Sequence, residues 1–259
     1  MRIHLPRPPD GWDTYLTELS IVVLGVLIAL GAQQVVEAWH WHQEAKTIRK
    51  ALSNEIEYSA LWAEERIAVQ QCLRDRIAHL VAKLNDSRPT WTADPALLGQ
   101  PRNPIGRSTE TGIQLVYRAP HRPWLRDEWE TAKASGAIDH LDRDDSRNLE
   151  FIYRNINQLG LLQEEEASLQ PQASFLSFNQ ILQPQSRVQA FVTLARLDYL
   201  NAMQAQSALQ LLSTLQSSHL ALGPISIGQR PMSLDAARKR MISALRERYG
   251  NCVAAAPPP

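Results

Sequence analysis

The residues most capable of metal chemistry lie between positions 37 and 44. On a helix, His40 shares a face with Glu37 and Glu44, which lie three residues before it and four residues after it, whereas His42 lies on a different face. Imidazole and carboxylate groups are common zinc ligands. The group directly follows an apolar run, however, and its position is typical of a polar collar at a membrane surface. We therefore predict a collar here rather than a metal site.

The other charged clusters fit structural roles better than catalysis. Asp142, Asp144 and Asp145 lack the central glycine and the ligand spacing of a calcium loop, so we expect them to cap a helix. The three glutamates at 164–166 are expected to lie on a solvated face. Trp129 is expected in the core rather than in a pocket.

No sequence motif of a known catalytic site is present. The chain has no G-x-S-x-G, no H-E-x-x-H and no phosphate-binding glycine loop. The sequence therefore predicts a protein that is not an enzyme and that holds no metal and no cofactor. One alternative stays open, which is an enzyme whose site lies beneath the proline-rich segment 86–123.

The chain has two cysteines, Cys72 and Cys252, and no C-x-x-C motif. Cys72 lies halfway along a long predicted helix, and Cys252 lies just after the last one. The thiols could meet if the last helix packs against the first. We expect a disulfide bond, which would close a loop of about 180 residues and is typical of an oxidising compartment such as the periplasm. The alternative is two unrelated thiols, one buried and one in a tail.

An apolar run near the N-terminus indicates the first structural element. Residues 21–32 are all apolar or small, and residues 16–36 would form about 31 Å of helix, close to the thickness of a bilayer core. Aromatic residues that suit the two membrane interfaces flank the run: Trp12 and Tyr15 before it, Trp39 and Trp41 after it. We predict a membrane anchor at 15–37 after a short tail at 1–14.

Two alternatives to the anchor stay open. A cleavable signal peptide would need a basic start and a small-residue cleavage site, whereas this chain has Asp10, Asp13 and Glu18 there and a poor site near Ala29. The other alternative is the core helix of a soluble protein.

Small residues within the predicted anchor could form a helix–helix interface. Gly25 and Ala29 have the small-xxx-small spacing, Ala32 continues that face, and Glu18 lies on it seven residues before Gly25. We predict a homo-oligomer through this face, with Glu18 hydrogen-bonded across it or reaching the membrane surface. The alternative is that the small residues only fill a lipid-facing helix.

Charge excludes one class of function. The chain has 27 Lys and Arg residues against 27 Asp and Glu residues, whereas a nucleic-acid binder would normally show a basic surplus. The charges flanking the anchor hardly decide its orientation. The expected disulfide favours a periplasmic position for the rest of the chain.

Apolar residues at steps of three and four predict an all-α fold. The predicted fold is an N-terminal transmembrane helix that continues into a long helix of an antiparallel helical bundle, with a bundle domain at 38–250 and a tail at 251–259. Residues 86–123 are predicted as a crossover over the bundle, with a short strand at 112–118 as an alternative, and 223–232 is predicted as a loop. The helices are predicted at 13–85, from 124 to Gly136, at 143–169, at 185–219 and from the cap Ser233 to Gly250.

The opening ELSIVVLGVLIALGAQQVVEAWHW resembles uncharacterised bacterial proteins with one N-terminal span and a Gly-Val-Leu-Ile-Ala-Leu core. WETAKASGAI (129–138) and Tyr153 are similar to the soluble domain of that family. The resemblance implies this architecture and brings no assigned activity.

These observations together predict a binding or scaffold protein of the bacterial inner membrane. Its expected partners are the lipid bilayer, a second copy of the chain and an unknown envelope protein. The alternatives to this function are the enzyme mentioned above and an accessory subunit of a membrane transport or assembly complex.

Overall fold

The computed structural model describes residues 12–86, 88–94, 115–218, 225–227 and 230–254; side chains are described from Leu16 onwards, except at 225–231 and 234. It confirms the predicted all-α fold: five α-helices account for most of these residues, and the strands are two or three residues long.

Helix α1 (Trp12–Leu84) is a single helix of 73 residues, about 110 Å long. It is continuous because no glycine or proline occurs between Gly31 and Pro89 to kink it. The predicted anchor and the first bundle helix are therefore parts of one rod.

The remaining helices lie close to their predicted positions. Helix α2 (Asp127–Ala134) is followed by Gly136, whose φ of 75° suits glycine, and by a 3₁₀ turn (Ala137–His140). Helix α3 begins after Asp142, although that side chain makes no capping hydrogen bond. The further elements are α3 (Arg143–Leu169), a 3₁₀ segment (Gln170–Ser177), α4 (Pro184–Ser217), α5 (Leu234–Tyr249) and a 3₁₀ turn (Gly250–Cys252).

Ser233 caps α5 as predicted, because its hydroxyl accepts a hydrogen bond of 3.3 Å from the backbone N–H of Ala236. At the other end of this helix, Gly250 with φ 83° ends it.

Helix α4 runs antiparallel to both α1 and α3. Arg66 of α1 contacts Asn201 of α4, whereas the later Leu84 contacts the earlier Arg187. In the same way, Glu165 of α3 contacts Arg196 of α4, whereas the earlier Leu162 contacts the later Gln204. Helix α5 instead runs in the same direction as α1.

Two pairs of very short strands close the bundle. Strand β1 (Thr90–Trp91) pairs antiparallel with β2 (Gln180–Ile181), and β3 (Ile225–Ile227) pairs antiparallel with β4 (Arg230–Met232). The prediction that 223–232 is only a loop was therefore wrong, because the Ile-Ser-Ile segment, rich in β-branched residues, favours a strand. The alternative of a short strand at 112–118 falls partly outside the described residues, at 112–114. The described part, Leu115–Arg118, is not a strand.

The bundle contains two apolar cores along α1. The proximal core, nearer the N-terminus of α1, is built around Leu52, Ile56, Ile152, Tyr153 and Leu211. The distal core is built around Val69, Leu73, Leu80, Leu194 and Leu197. The stretch of α1 from Glu64 to Arg66 lies between them.

Candidate functional site

The N-terminal part of α1 is exposed along its whole length in the described structure. Every residue from Leu16 to His40 is exposed, although this is the one described helix that is long and apolar enough to cross a membrane. Its most apolar 18-residue window has a mean hydropathy of 2.2 and is 0% buried. Within the described residues, this helix is therefore a candidate membrane span by its length and composition.

The residues predicted for helix packing lie on this exposed part. Glu18, Gly25, Ala29 and Ala32 are all exposed, and a Cβ added to Gly25 would meet no described atom within 4 Å. The helix surface there is open to a partner, and the predicted interface stays a prediction.

The predicted interface aromatics have different surroundings. Trp39 is 66% exposed, whereas Trp41 is half-buried and stacks on His140, with ring centroids 3.9 Å apart and planes 13° apart. Trp12 and Tyr15 belong to the helical backbone, but their side chains lie outside the described part. Trp41 thus joins α1 to the 3₁₀ turn of the bundle.

A cleft of about 820 Å³ opens where the exposed helix enters the bundle. Its wall on α1 extends from Gln34 to Arg49, and His140 lines the other side. Arg49 also forms an ion pair of 2.9 Å with Asp145 at the start of α3. Of the polar group predicted as a collar, Glu37 and His42 line this concave surface, whereas His40 and Glu44 do not.

A buried polar layer separates the two apolar cores. Its centre is Arg66, whose two terminal nitrogens donate hydrogen bonds of 3.0 and 2.7 Å to the carboxylate of Glu166. The same carboxylate accepts hydrogen bonds from the hydroxyl of Tyr117 (2.7 Å) and the amide of Gln204 (3.0 Å). Asn201 accepts a further bond of 3.1 Å from Arg66. The layer connects α1, α3, α4 and the segment before α2.

Three consecutive residues of α1 form ion pairs in three directions. Glu64 and Glu65 pair with Arg238 of α5 and Arg122 respectively, while Arg66 pairs with Glu166. Successive residues of a helix differ by about 100° in direction. All three are buried, so α1 is covered on every side at this level.

The pKa values in this layer show charges held by their partners. Burial raises the pKa of Tyr117 well above the ordinary tyrosine value, and the Glu166 carboxylate adds to the rise. Burial alone would lower the pKa of Arg66, but Glu166 outweighs it and the pKa is raised. Arg66 therefore stays charged, and the Tyr117 hydroxyl keeps its proton. This arrangement suits a structural pair better than a proton-transfer site.

A second polar contact fastens α1 to α2 and α3 in the proximal core. Glu55 accepts hydrogen bonds from the hydroxyl of Tyr153 (2.8 Å) and from the backbone N–H of Glu128 (3.0 Å). Trp129 stacks on Tyr153 with ring centroids 4.8 Å apart. Trp129 is buried, as expected for a core residue.

The expectation that 164–166 lies on a solvated face is wrong for one of the three residues. Glu164 is exposed and Glu165 partly so, but Glu166 is only 1% exposed. It lies three residues after the buried Gln163 and seven after the buried Leu159, on the inner face of α3. That spacing was the signal available in the sequence. Arg66 and Tyr117 were not identified.

Arg76 connects Asp94 and Val116, which lie on either side of residues 95–114; those residues are outside the described part of the chain. Its guanidinium donates to the carboxylate and the carbonyl of Asp94 (2.7 and 2.6 Å) and to the carbonyl of Val116 (2.7 Å). His79 and Lys83 also contact the Asp94 carboxylate, at 2.8 and 2.9 Å. Burial alone would raise the pKa of Asp94, but these hydrogen bonds lower it to about 2.

Cys72 and Cys252 are joined by a disulfide bond across 180 residues, with their Cα atoms 5.1 Å apart. The bond holds the end of the chain against α1, where the backbone N–H of Ala254 also donates to the carbonyl of Ala68 (3.0 Å).

Comparison with known proteins found no match to this chain among family models, curated proteins or solved structures. Within the described ranges, no three His, Cys, Asp or Glu side chains lie close enough together to hold a metal ion.

Proposed function

We propose that this protein is a membrane-anchored helical bundle of the bacterial cell envelope that binds or holds a partner protein. The observation that carries the proposal is that one continuous helix is bare and apolar at one end and is the central helix of a folded core at the other.

The size of the exposed apolar surface supports a lipid environment. Twelve leucine, isoleucine and valine side chains between Leu16 and Val36 are exposed. These side chains are 46–70% exposed, so burying what remains of each would contribute roughly 1–2 kcal/mol, and about 10–20 kcal/mol in sum. This is comparable with the whole stability of a typical domain, about 5–15 kcal/mol. Such a surface is stable in a bilayer and unstable in water.

The disulfide supports a periplasmic bundle. Bonds of this kind persist in oxidising compartments and are rare in the cytosol. With the bundle in the periplasm and the anchor in the inner membrane, the N-terminus would lie on the cytoplasmic side.

The polar side chains beneath the described part of 86–123 support a binding role over catalysis. Tyr117, Arg66 and Glu166 are hydrogen-bonded to one another or to neighbouring amides, which makes them structural contacts.

On the outer surface, Val188, Val192 and Tyr199 lie along one face of α4 and are each about 60% exposed. An exposed apolar face of this kind is typical of a surface that binds another protein.

Membrane anchoring is tested by alkaline carbonate washing of vesicles from cells that make the full chain. We expect the intact polypeptide to stay with the lipid pellet, and a variant with Leu24, Leu27 and Ile28 changed to Lys to be released. Mass spectrometry of the pelleted protein should find residues 16–36. Release of the unmodified chain, or a mature chain lacking that segment, would contradict the proposal.

Orientation is tested with a reporter enzyme that is active only in the periplasm. Fused after residue 254 it should be active, and fused before residue 12 it should be inactive. The reverse pattern would place the bundle in the cytoplasm.

Partner binding is tested in living cells by a photo-crosslinking amino acid at position 199, with position 154 on the exposed polar face of α3 as the matched control. We expect one discrete crosslinked product from position 199 that disappears when Val192 is changed to Glu. Equal products from both positions, or none from position 199, would argue against a partner on this face.

Substitution of Glu18 distinguishes the scaffold hypothesis from the hypothesis of an accessory subunit that acts within the membrane. A scaffold should tolerate Glu18→Gln, whereas the accessory subunit should lose function without loss of folding.

A further inference from the structure

The cleft between α1 and the 3₁₀ turn lies at the level of a bilayer surface, if α1 crosses the membrane as proposed. It begins at Gln34, inside the last turns of the apolar stretch, and ends at Arg49. The polar zone of one leaflet is about 5–8 Å thick, whereas Arg49 lies about 22 Å along the helix axis from Gln34. The headgroup zone therefore falls within the cleft.

The charges in the cleft suit a phosphate group. Lys46 lines it, and among the described residues no carboxylate forms an ion pair with this side chain. Arg49 adds a second cation, partly engaged by Asp145 at 2.9 Å, and an imidazole N–H of His140 can donate from the opposite wall. Glu37 is the one carboxylate among the lining residues.

Helix geometry directs these cations toward the membrane. Side chains of an α-helix lean toward its N-terminus, which here is the apolar end. The long apolar stems of Lys46 and Arg49 can follow α1 down while their charged ends remain in the polar zone. A phosphate at that depth would meet both cations.

We propose that this cleft binds the phosphodiester headgroup of a phospholipid in the leaflet that faces the bundle, with Lys46 as the main cation. The acyl chains of that lipid lie along the exposed apolar face of α1, which ends where the cleft begins. The stack of Trp41 on His140, 3.9 Å between ring centroids, fixes the far wall of the cleft. A bound lipid would thereby set how close the bundle lies to the membrane.

The test uses the full chain in a neutral maltoside detergent, with bound lipid counted by native mass spectrometry. The probe is dioleoyl phosphatidylglycerol, and dioleoylglycerol is the control with the same chains and no phosphate. We expect the phospholipid alone to be retained. Lys46→Gln should raise its apparent Kd about tenfold, as for loss of one charged hydrogen bond. Lys46→Arg should bind like the original chain.

Lys50→Gln is the matched control, since it removes the same charge one turn farther along α1 and outside the cleft. Equal binding by the Lys46→Gln and original chains would overturn the proposal. So would displacement of the phospholipid by millimolar glycerol phosphate, which would assign the cleft to a soluble anion instead.

The inference rests on the proposed membrane anchor, and the two fail differently. Release of the chain by carbonate would end the anchor proposal. Retention in the pellet, together with lipid binding that does not depend on Lys46, would end only the headgroup assignment.

Discussion

Glu166 accepts four hydrogen bonds inside the bundle, so Glu166→Gln is the sharpest test of the buried polar layer. Gln has nearly the same shape, but its NH₂ group would face donors, and it would leave the guanidinium of Arg66, only 3% exposed, without a counter-charge. Breaking a buried pair in this way costs about 3–5 kcal/mol. In a chain of this size, that lowers Tm by about 6–20 °C.

The assay is unfolding of the full chain in detergent micelles, followed by circular dichroism. Glu150→Gln is the control on the same helix, because Glu150 forms an exposed pair with Arg154. Such pairs contribute about 0–1 kcal/mol, so the Tm should hardly change.

A double-mutant cycle isolates the pair. Arg66→Met should also destabilise strongly, because it leaves the Glu166 carboxylate buried without its cation. The double variant Arg66→Met with Glu166→Gln removes both charges, so its loss should be smaller than the sum of the two single losses by at least about 2 kcal/mol. Additive losses, or a loss below about 1 kcal/mol for Glu166→Gln, would refute the reasoning.

Three other perturbations have defined outcomes. The pKa of Asp94 is lowered in the fold, so its contribution to stability is present above pH 4 and is lost as the pH falls toward 2. Asp94→Asn should remove that part of the acid dependence of Tm. A pH profile of Tm equal to that of the original chain would contradict this prediction. Reducing the Cys72–Cys252 bond, or changing both residues to Ser, should lower the free energy of unfolding by up to about 5 kcal/mol. The chain without the bond should also migrate more slowly in a non-reducing gel. Identical mobility with and without reductant would contradict the bond. Burial raises the pKa values of Tyr117 and Tyr153, so both stabilise the fold below about pH 10 and less so above it. The tyrosinate absorbance of these two residues should therefore rise only when the protein unfolds, and Phe at either position should make that rise smaller. A rise in their absorbance before unfolding would argue against this prediction.

The helices could be predicted because local signals define them. Long runs with apolar residues at helical spacing, the cap Ser233 and the stop at Gly250 depend on neighbours in sequence, and the structure has them at the predicted places. The bare apolar end of α1 was predictable for the same reason, since its composition alone sets its preference for lipid.

The polar layer could not be predicted in the same way. Glu64, Glu65 and Arg66 lie in three directions, so no single periodicity separates them from surface charges. Their burial depends on α3, α4 and α5 covering α1 on all sides, which is a property of the assembled bundle. Glu166 could have been predicted from its spacing to Leu159 on the inner face of α3, but it was expected on a solvated face together with Glu164 and Glu165.

The unbroken length of α1 makes it a lever. Leu84 lies 48 residues beyond Val36, about 72 Å along the axis, and no proline or glycine between them offers a hinge. If the N-terminal end crosses a membrane as proposed, a change of 10° in its tilt would therefore swing the far tip by about 12 Å. Bilayer thickness, which influences such tilts, would then be converted mainly into a sideways displacement of the bundle over the membrane.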